Sequence, residues 1–368
     1  MKKHAVIGFS LALVLAAFTA CAKGPSIPVA GSAKPVDMLT LLPKSSQGVI
    51  VIDVHRAMTT TLVDKAIKDN KEYQKYKEVI DSIGLDPQKD IYFAGVGLTQ
   101  IPGKSEPDVA AVINLKYDKD KIVAKIKEKS PEFKEDLYEG VSFFSMPEKE
   151  EGEPVPETKE GETEPEKKEG EPVFGAFLNT SNIAIGRESQ VKSAIDILKG
   201  KAESAAKNAE IMKLVKTANK TAMFWSVFSF GPDQIKQMTA GNPFLTSLES
   251  LKAISLFVDY KNATLDLEIK AMTTDAAKNK EMADFLNGLK ALGSMAGGEK
   301  PEIGQLLNAI TVSAAPDHVK IAASLPEELM NKLSAEAQKQ VEAKLGGETA
   351  PEKKDETATE TKKEEIKK

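Results

Sequence analysis

Apolar residues follow two different patterns along this chain, and each pattern predicts a different secondary-structure element. Short continuous or alternating apolar runs are typical of strands, whereas apolar residues recurring every three or four positions are typical of helices. In the first half the runs predict strands at residues 48–54, 91–98, 109–115, 140–146, 174–178 and 182–186. Helical spacing predicts helices at 56–83, after Asp118, and at 191–198.

The second half repeats this alternation. Its predicted strands lie at 221–230, 254–258, 265–269, 309–314 and 319–323. Its predicted helices lie at 232–250 with an interruption at 241–243, at 274–292, and through Pro326 towards the C-terminus. Residues 221–230 are apolar on both faces, which predicts a central strand.

Two details of the second half are specific enough to be tested by a structure. The helical spacing places Met282, Phe285, Leu286 and Leu289 on one face of the helix predicted over 274–292. Ser324 with Glu327 three residues later has the spacing of a capping box, with Pro326 in the first helical turn.

Both halves read β-α-β-β-α-β-β-α, and the boundary falls near residues 216–220. The sequence therefore predicts an α+β fold with an internal duplication and mostly antiparallel sheets. The two halves occupy 38–216 and 217–345. The match between them is in the order of elements and scarcely in residues.

Three segments lack the patterns that a packed core requires. Residues 21–37 are rich in Pro, Gly, Ser and Ala, which predicts a flexible tether. Residues 147–172 contain eleven Glu and four Lys, a net charge of −7, and no aromatic residue. This insertion and the charged tail at 346–368 are predicted to be disordered, because they cannot bury enough apolar area to offset the loss of chain entropy.

The insertion is more negative than the whole chain, whose formal net charge is −5. The rest of the body is nearly neutral. It has no basic patch of the kind that binds nucleic acid, so nucleic acid is not an expected partner.

The N-terminus has the layout of a secretory signal peptide. Lys2 and Lys3 precede fourteen uncharged residues, 5–18, and small residues then lead to Cys21, the one cysteine of the chain. The apolar stretch is shorter than the roughly 20 residues that span a bilayer. Residues 1–20 are therefore expected to be cleaved off.

Phe-Thr-Ala-Cys at 18–21 resembles the lipobox of bacterial lipoproteins. The resemblance implies that Cys21 becomes the first mature residue and carries fatty acyl chains, and two or three such chains anchor a protein stably. The family prefers Leu where this chain has Phe18. The alternative is an ordinary cleaved signal followed by a free cysteine.

The lipoprotein resemblance also implies a location. In that family Asp after the cysteine retains a protein at the inner membrane, and this chain has Ala22 there. The expected location is the cell envelope, at the outer membrane if the organism has two membranes, with membrane lipid as a partner through acylated Cys21.

Four short motifs of the body are Leu42-Pro43, Ile83-Gly84-Leu85-Asp86-Pro87, Tyr138-Glu139-Gly140-Val141 and Ala184-Ile185-Gly186. Through them the body resembles a family of exported bacterial proteins known only as a domain of unknown function. The likeness covers residues 38–345 and implies the duplicated α+β fold without an activity.

The sequence offers little catalytic chemistry. After removal of the signal peptide two histidines are left, His55 and His318, and no serine lies in a G-x-S-x-G elbow. His55 follows Asp53 by two residues at a strand end, but a capping or exposed role is favoured for it, and exposure is expected for His318 at a hairpin tip.

Ligand-binding motifs are equally weak. Asp118 and Asp120 lack the remaining ligands of a calcium loop, so Asp118 is interpreted as a helix cap. Gly95 and Gly97 lie within a strand, which favours a bulge or close packing over a phosphate-binding turn. No metal site or cofactor is predicted.

An aromatic cluster is the largest concentration of apolar side chains. It favours core packing, with an apolar-ligand cavity as the alternative. Its members are Phe224, Trp225, Phe228 and Phe230.

The sequence therefore favours a non-catalytic envelope lipoprotein, an interaction or structural module with an unidentified envelope protein as partner. One alternative is a carrier of an apolar ligand or lipid between the two halves. A remote alternative is a hydrolase that uses carboxylates alone.

Overall fold

The computed structural model describes residues 34–68, 70–101, 107–130, 133–146, 172–239, 248–296 and 301–346. The predicted signal peptide, nearly all of the tether, nearly all of the acidic insertion and nearly all of the C-terminal tail lie outside these residues. The predicted interruption at 241–243 also lies outside them.

The elements of the first half agree with most of the predicted positions. Its strands are β1 (Gly48–Asp53), β2 (Ile91–Thr99), β3 (Asp108–Leu115), β4 (Lys134–Tyr138), β5 (Val141–Met146), β6 (Val173–Asn179) and β7 (Asn182–Gly186). Its helices are α1 (Val54–Met58), α2 (Thr61–Lys68), α3 (Lys71–Asp81), α4 (Pro87–Asp90), α5 (Lys119–Lys129), α6 (Glu188–Leu198) and α7 (Ala209–Val215). A 3-10 helix, Pro35–Thr40, precedes β1.

The second half has fewer elements. Its strands are β8 (Phe224–Ser229), β9 (Leu251–Lys261), β10 (Thr264–Thr273), β11 (Ile310–Ala315) and β12 (His318–Pro326). Its helices are α8 (Pro232–Thr239), α9 (Ala276–Ala296), α10 (Pro301–Ala309) and α11 (Glu327–Gly346).

All twelve strands form one antiparallel sheet in the order β11-β12-β10-β9-β8-β1-β2-β3-β7-β6-β5-β4. Outward from the central β1–β8 pair, the order β1-β2-β3-β7-β6 on one side matches β8-β9-β10-β12-β11 on the other, strand for strand. This confirms the α+β class and the duplicated order. The two halves share one sheet, with β8 at its centre as its apolar faces predict.

The first half carries an additional hairpin, β4–β5, beyond the strands that the halves share. Glu139 and Gly140 form its two-residue turn, with φ of 51° and 72°, as hairpins of this type require. The acidic insertion joins β5 to β6 and so has no counterpart in the second half.

The two faces of the sheet are covered differently. We call face A the side that carries Val51 and Trp225, and face B the opposite side. In the first half face A is covered by the 3-10 helix, α6 and α7, and face B by α1 and α5. In the second half α9, α10 and α11 pack on face B, while exposed Thr311, Ser313 and Ser324 lie on face A. Helix α11 thus takes the opposite side from α6, its counterpart.

Gly95 and Gly97 permit a close approach of the chain to face A. A Cβ at Gly95 would lie 2.7 Å from the Cβ of Met38, and a Cβ at Gly97 would lie 2.5 Å from the Oγ of Ser46. Both glycines pair with β1 in regular register. Close packing is therefore the reason for them, and neither a bulge nor a phosphate-binding turn is present there.

Two predicted helices differ in the structure. The helix predicted over 56–83 is three helices, because the side chains of Thr60 and Asn70 each accept a backbone N–H and start a new helix. The capping box at Ser324 is wrong: β12 continues to Pro326, and the Ser324 hydroxyl donates to Asp266 across the strands instead.

Glu327, the first residue of α11, connects three elements. Its carboxylate accepts hydrogen bonds from Lys65 and Thr61 of α2 and from the Tyr260 hydroxyl of β9. The Lys65 ammonium first, and then the two hydroxyls, lower the pKa of Glu327 to about 2 from its ordinary 4.5.

This pKa predicts a dependence of stability on pH. A carboxyl whose pKa is lowered by folding stabilises the fold fully above about pH 4.5, and this contribution is lost as the pH falls towards 2. Acid unfolding followed by far-UV circular dichroism should show a flatter pH dependence in Glu327→Gln than in the natural chain. Glu328→Gln is the matched control, because Glu328 pairs with Lys332 alone on an exposed surface. Identical acid profiles for the two variants would contradict the assigned role of Glu327.

Candidate functional site

The sequence-predicted attachment site, Cys21, lies outside the residues that the structure describes, so its lipidation stays a prediction. Within the described ranges no helix is both long and apolar enough to cross a membrane.

The structure places His55 in a helix and His318 at the end of a hairpin strand. Asp53 caps α1 by accepting the amide of Arg56 at 3.0 Å, and His55 is exposed in the first turn of that helix. His318 bonds the neighbouring Asp317 carboxylate at 2.8 Å beside the β11–β12 turn. His55 is exposed as predicted, but Asp53 and not His55 caps the helix. The prediction for His318 is wrong, because its side chain is half-buried beside the turn.

The weak metal and ligand motifs have structural explanations. Asp118 accepts the amides of Asp120 and Lys121 at 3.1 and 3.2 Å and so caps α5. No group of three His, Cys, Asp or Glu side chains in the described part of the chain could hold a metal ion.

Trp225 is fully buried on face A, and Phe224 and Phe228 pack in the cluster on face B, so these aromatic residues are core.

A shallow polar depression of about 300 Å³ lies over β9, β10 and β12 on face A. Glu268 on its floor is bonded by Lys270 and Lys320, each at 2.8 Å. Burial alone would raise the pKa of Glu268, but these two ammonium groups lower it. A carboxylate held ionised by two cations is a cross-strand pairing group and is poorly suited to donate a proton.

Asp259, at the rim of this depression, joins the two halves. It is 3% exposed, and it accepts hydrogen bonds from Arg56 of α1, from Lys261 at 2.5 Å and from the Met223 amide at 3.1 Å. Burial would raise its pKa, but the Lys261 and Met223 hydrogen bonds and the Arg56 charge lower it. All of these contacts are internal, so the depression is a satisfied polar surface.

The most unusual surface of the molecule is the outer side of α9. Asp275 starts this helix by accepting the amides of Ala277 and Lys278 at 3.0 and 3.1 Å. The helix then runs for 21 residues without interruption to Ala296. A helix on a sheet buries only the stripe of side chains that faces the sheet, so the sheet leaves the opposite side of α9 uncovered.

The inner side of α9 is fixed by packing and by hydrogen bonds. Met282, Ala283 and Leu286 pack with Val319 of β12 and its neighbours. Asn279 is fully buried and donates to the carbonyls of Ala315 and Pro316 at 2.9 and 3.3 Å. This side therefore sets the rotation of the helix about its axis.

The outer side of α9 carries four large apolar side chains that face solvent. Phe285 is 49% exposed, Leu289 48%, Leu292 64% and Met295 80%. Their spacing of four, three and three residues places them along one side of the helix. Gly288 lies among them, and a Cβ there would meet nothing within 4 Å. We call the surface formed by Phe285, Leu289, Leu292 and Met295 the α9 apolar stripe.

The structure divides the four apolar residues predicted to share this helix face between buried and exposed positions. Met282 and Leu286 point inward, but Phe285 and Leu289 point outward. A signal was present in the sequence, because Leu292 and Met295 continue the apolar positions beyond the arc that one sheet contact can bury.

Comparison with known proteins finds similarity in structure only. No family model matches the chain, and no curated protein matches it. Three crystal forms of a protein called TP0453 are similar in structure at 10–11% identity. Form III has a TM-score of 0.47 and covers 81% of this chain and 96% of TP0453. Form I has a TM-score of 0.44 and covers 83% and 98%, and form IV has 0.44 and covers 82% and 97%.

Proposed function

We propose that this chain is a lipid-anchored envelope lipoprotein whose α+β body is a non-catalytic interaction module, and that the α9 apolar stripe binds an envelope protein. The observation that carries the proposal is the exposure of Phe285, Leu289 and Leu292, from 48 to 64%. Exposed apolar surface of this extent on a folded body is typical of a binding site.

The spacing of the stripe favours a protein with a groove as its occupant. Phe285, Leu289 and Leu292 stand at positions i, i+4 and i+7, which is the pattern by which one helix face fits into an apolar groove. Helices that lie on a lipid surface are instead rich in Lys and Arg on their polar side. The charges of α9 are nearly balanced, with three Lys against Glu281 and Asp284.

The anchor and the stripe support each other within this proposal. A lipid on Cys21 would hold the body near a membrane through the segment 21–37, so that the stripe meets envelope proteins at a high local concentration.

The alternative functions gain nothing from the described residues. A carrier needs a cavity between its halves, but Val49, Val51, Trp225 and Val227 fill the β1–β8 junction and are fully buried. A carboxylate hydrolase needs a group poised to donate a proton, and the pKa of Asp259 is lowered, as is that of Glu268.

The test is site-specific photo-crosslinking in intact cells, with the crosslinking amino acid at Gly288, where the structure leaves open space. We expect one discrete protein adduct. Changing Phe285, Leu289 and Leu292 together to Ser should remove it, because each apolar side chain contributes roughly 1 kcal/mol on burial, and 3 kcal/mol corresponds to about a hundredfold in Kd.

The matched control changes Lys280 and Asp284 of the same helix to Ser, since they form an exposed ion pair, with 2.6 Å between Nζ and Oδ2, and neither belongs to the stripe. The adduct should persist in this control. Two results would indicate that the stripe binds a membrane surface and not a protein. One is crosslinking from Gly288 to lipid alone. The other is binding of purified Cys21→Ser protein to protein-free vesicles that is lost in the triple variant. The absence of any adduct at Gly288 would overturn the proposal.

A further inference from the structure

Helix α7 and its flanking residues carry a concentration of lysine. Residues 199–220 contain six Lys and two Glu, a net charge of +4, whereas the formal net charge of the whole chain is −5. Lys201 is paired with Glu139, with 2.5 Å between Nζ and Oε2. The other five lysines are exposed, and none of them forms an ion pair within the part of the chain that the structure describes. A positive surface is therefore present on a chain that is negative as a whole.

The packing of α7 directs its lysines away from the sheet. Ile211, Leu214 and Val215 are buried and pack on face A. Lys213 and Lys216 are exposed, and their spacing of three residues makes them neighbours on the opposite side of the helix. The helix is flanked by two further exposed lysines. We define the α7 lysine patch as Lys207, Lys213, Lys216 and Lys220.

The acidic side chains next to the patch already have partners. Glu203 pairs with Lys44, with 2.5 Å between Oε2 and Nζ, and Glu210 accepts a hydrogen bond from the Ser229 hydroxyl. Neither forms an ion pair with a member of the patch in the described ranges. The four ammonium groups can therefore bind anions from outside this chain.

The predicted tether enters the body beside the patch. The 3-10 helix is the first element that the structure describes, and its Met38 is buried in the face A cluster to which α7 also contributes. The Leu42 carbonyl then accepts the Ala205 amide at 2.8 Å. The Asn208 side chain donates to the Lys44 carbonyl at 2.9 Å. The chain that follows the tether is thus bonded to the segment that leads into α7.

The tether is short enough to keep the patch near a membrane. Thirteen residues lead from Cys21 to Lys34, the first described residue. A flexible segment of this length has a typical end-to-end distance of about 20 Å. An acyl chain on Cys21 would therefore hold the patch near the bilayer. Rotation of the body on its tether would bring the lysines within a Debye length of the headgroups, about 8 Å at physiological salt.

The exposure of the patch favours a lipid surface as its occupant. Separate exposed cations suit a surface with many anionic headgroups, because each lysine gains by lying near such a surface without a fixed geometry. Nucleic acid is disfavoured, since residues 205–220 contain no aromatic side chain that could stack on a base. The position beside the tether favours the membrane over an acidic protein, because the proposed anchor brings the membrane to this surface.

We infer that the α7 lysine patch binds the anionic headgroups of the membrane on which the chain is anchored, and thereby sets the orientation of the body. The orientation rests on the proposed lipid anchor, whereas the binding of the patch to anionic lipid does not. Each lysine close to an anionic surface strengthens binding by about fivefold. This surface is separate from the α9 apolar stripe.

The experiment measures sedimentation of the mature chain carrying Cys21→Ser with two kinds of vesicle. One contains phosphatidylcholine alone, and the other is an equal mixture of phosphatidylcholine and phosphatidylglycerol. We expect binding to the anionic vesicles at low salt and no binding to the neutral ones. Raising the salt from about 0.01 M to 1 M should release the protein, because the Debye length falls from about 30 Å to 3 Å.

Two charge variants separate the patch from the net charge of the chain. The lysine variant changes Lys207, Lys213 and Lys216 to Gln and should bind the anionic vesicles about a hundredfold more weakly. The matched control removes the same charge from exposed positions on other helices. It changes to Gln the side chains of Lys68, Lys280 and Lys332. The control should bind as the unsubstituted chain does, and circular dichroism should show both variants folded, because every substituted side chain is exposed.

Acetylation of lysines by acetic anhydride, read by mass spectrometry, locates the contact on the unsubstituted chain. Anionic vesicles should slow acetylation at Lys213 and Lys216 and leave Lys280 unchanged. Acetylation slowed equally at all three lysines would contradict the inference.

Three further results would overturn it: no binding to anionic vesicles, an equal loss of binding in the lysine variant and its control, or loss of binding in the triple Ser variant of the α9 apolar stripe. The protein used carries no acyl chain and meets no protein partner. These outcomes are therefore independent of the tests of the anchor and of the stripe.

Discussion

Replacing Trp225 by alanine is expected to lower the free energy of unfolding by about 4 kcal/mol, a typical cost for removing a fully buried tryptophan. Trp225 has no exposed surface. It pairs with Val51 of β1 on one side and Phe257 of β9 on the other, so its side chain packs at the junction of the two halves. The resulting cavity would weaken the contact that makes them one body.

Trp225→Phe is the matched control, and we expect it to change stability by less than about 1.5 kcal/mol. The indole Nε1 has no hydrogen-bond partner in the part of the chain that the structure describes, and an unsatisfied buried donor costs about 1–3 kcal/mol. Phenylalanine removes that donor and keeps an aromatic ring in place. The stability lost through its smaller volume is therefore offset by the removal of the unsatisfied N–H. Urea denaturation of both variants followed by circular dichroism, in the Cys21→Ser background, measures the difference. Equal destabilisation by Ala and Phe would show that ring packing is not the dominant contribution.

Cys21→Ser is expected to abolish membrane retention completely. The proposed anchor depends on acyl chains attached through Cys21, the one cysteine of the chain, and serine lacks the thiol that carries them. Metabolic labelling with an alkyne fatty acid should lose its signal at this protein, and detergent phase separation should move the protein into the aqueous phase.

The control for this prediction is Ala22→Asp. The lipoprotein resemblance implies that it keeps the lipid and, in an organism with two membranes, shifts the protein from the outer to the inner membrane. Covalent lipid on the Cys21→Ser protein would refute the lipobox interpretation.

Strands could be predicted where the apolar pattern of the sequence agrees with the burial of the strand in the structure. Residues Gly48–Asp53 are continuously apolar up to Asp53, and they form β1 at the centre of the sheet. Lys134–Tyr138 contains Lys, Glu and Asp in succession, and no apolar pattern predicts β4. It forms because the Glu139-Gly140 turn folds it back onto β5, whose residues are apolar.

Helix boundaries depended on individual side chains that the pattern does not distinguish. Ser324 has the residue type and spacing of an N-cap, but its hydroxyl bonds Asp266, since β12 pairs with β10 up to Pro326. Which carboxylate a serine meets is a property of tertiary structure.

The candidate site was predictable in residues and not in orientation. The apolar positions of α9 can be read from the sequence, but the side that faces the sheet is chosen by Asn279, whose amide bonds Ala315 and Pro316 at the distant β11–β12 turn. The position of β4 at one end of the sheet depends in the same way on the strand order, which the apolar pattern does not give.

The β1–β8 pair at the centre of the sheet has a consequence for the origin of the fold. These strands run antiparallel, and the strand order is the same outward from each, so a local twofold axis between them relates the halves. An isologous dimer of two identical repeats joined edge to edge would have this geometry. Fusion of the two genes would leave the former subunit interface as the interior of one chain. The additional hairpin, the acidic insertion and the different packing of α6 and α11 would then be changes acquired after each copy was released from the need to match the other.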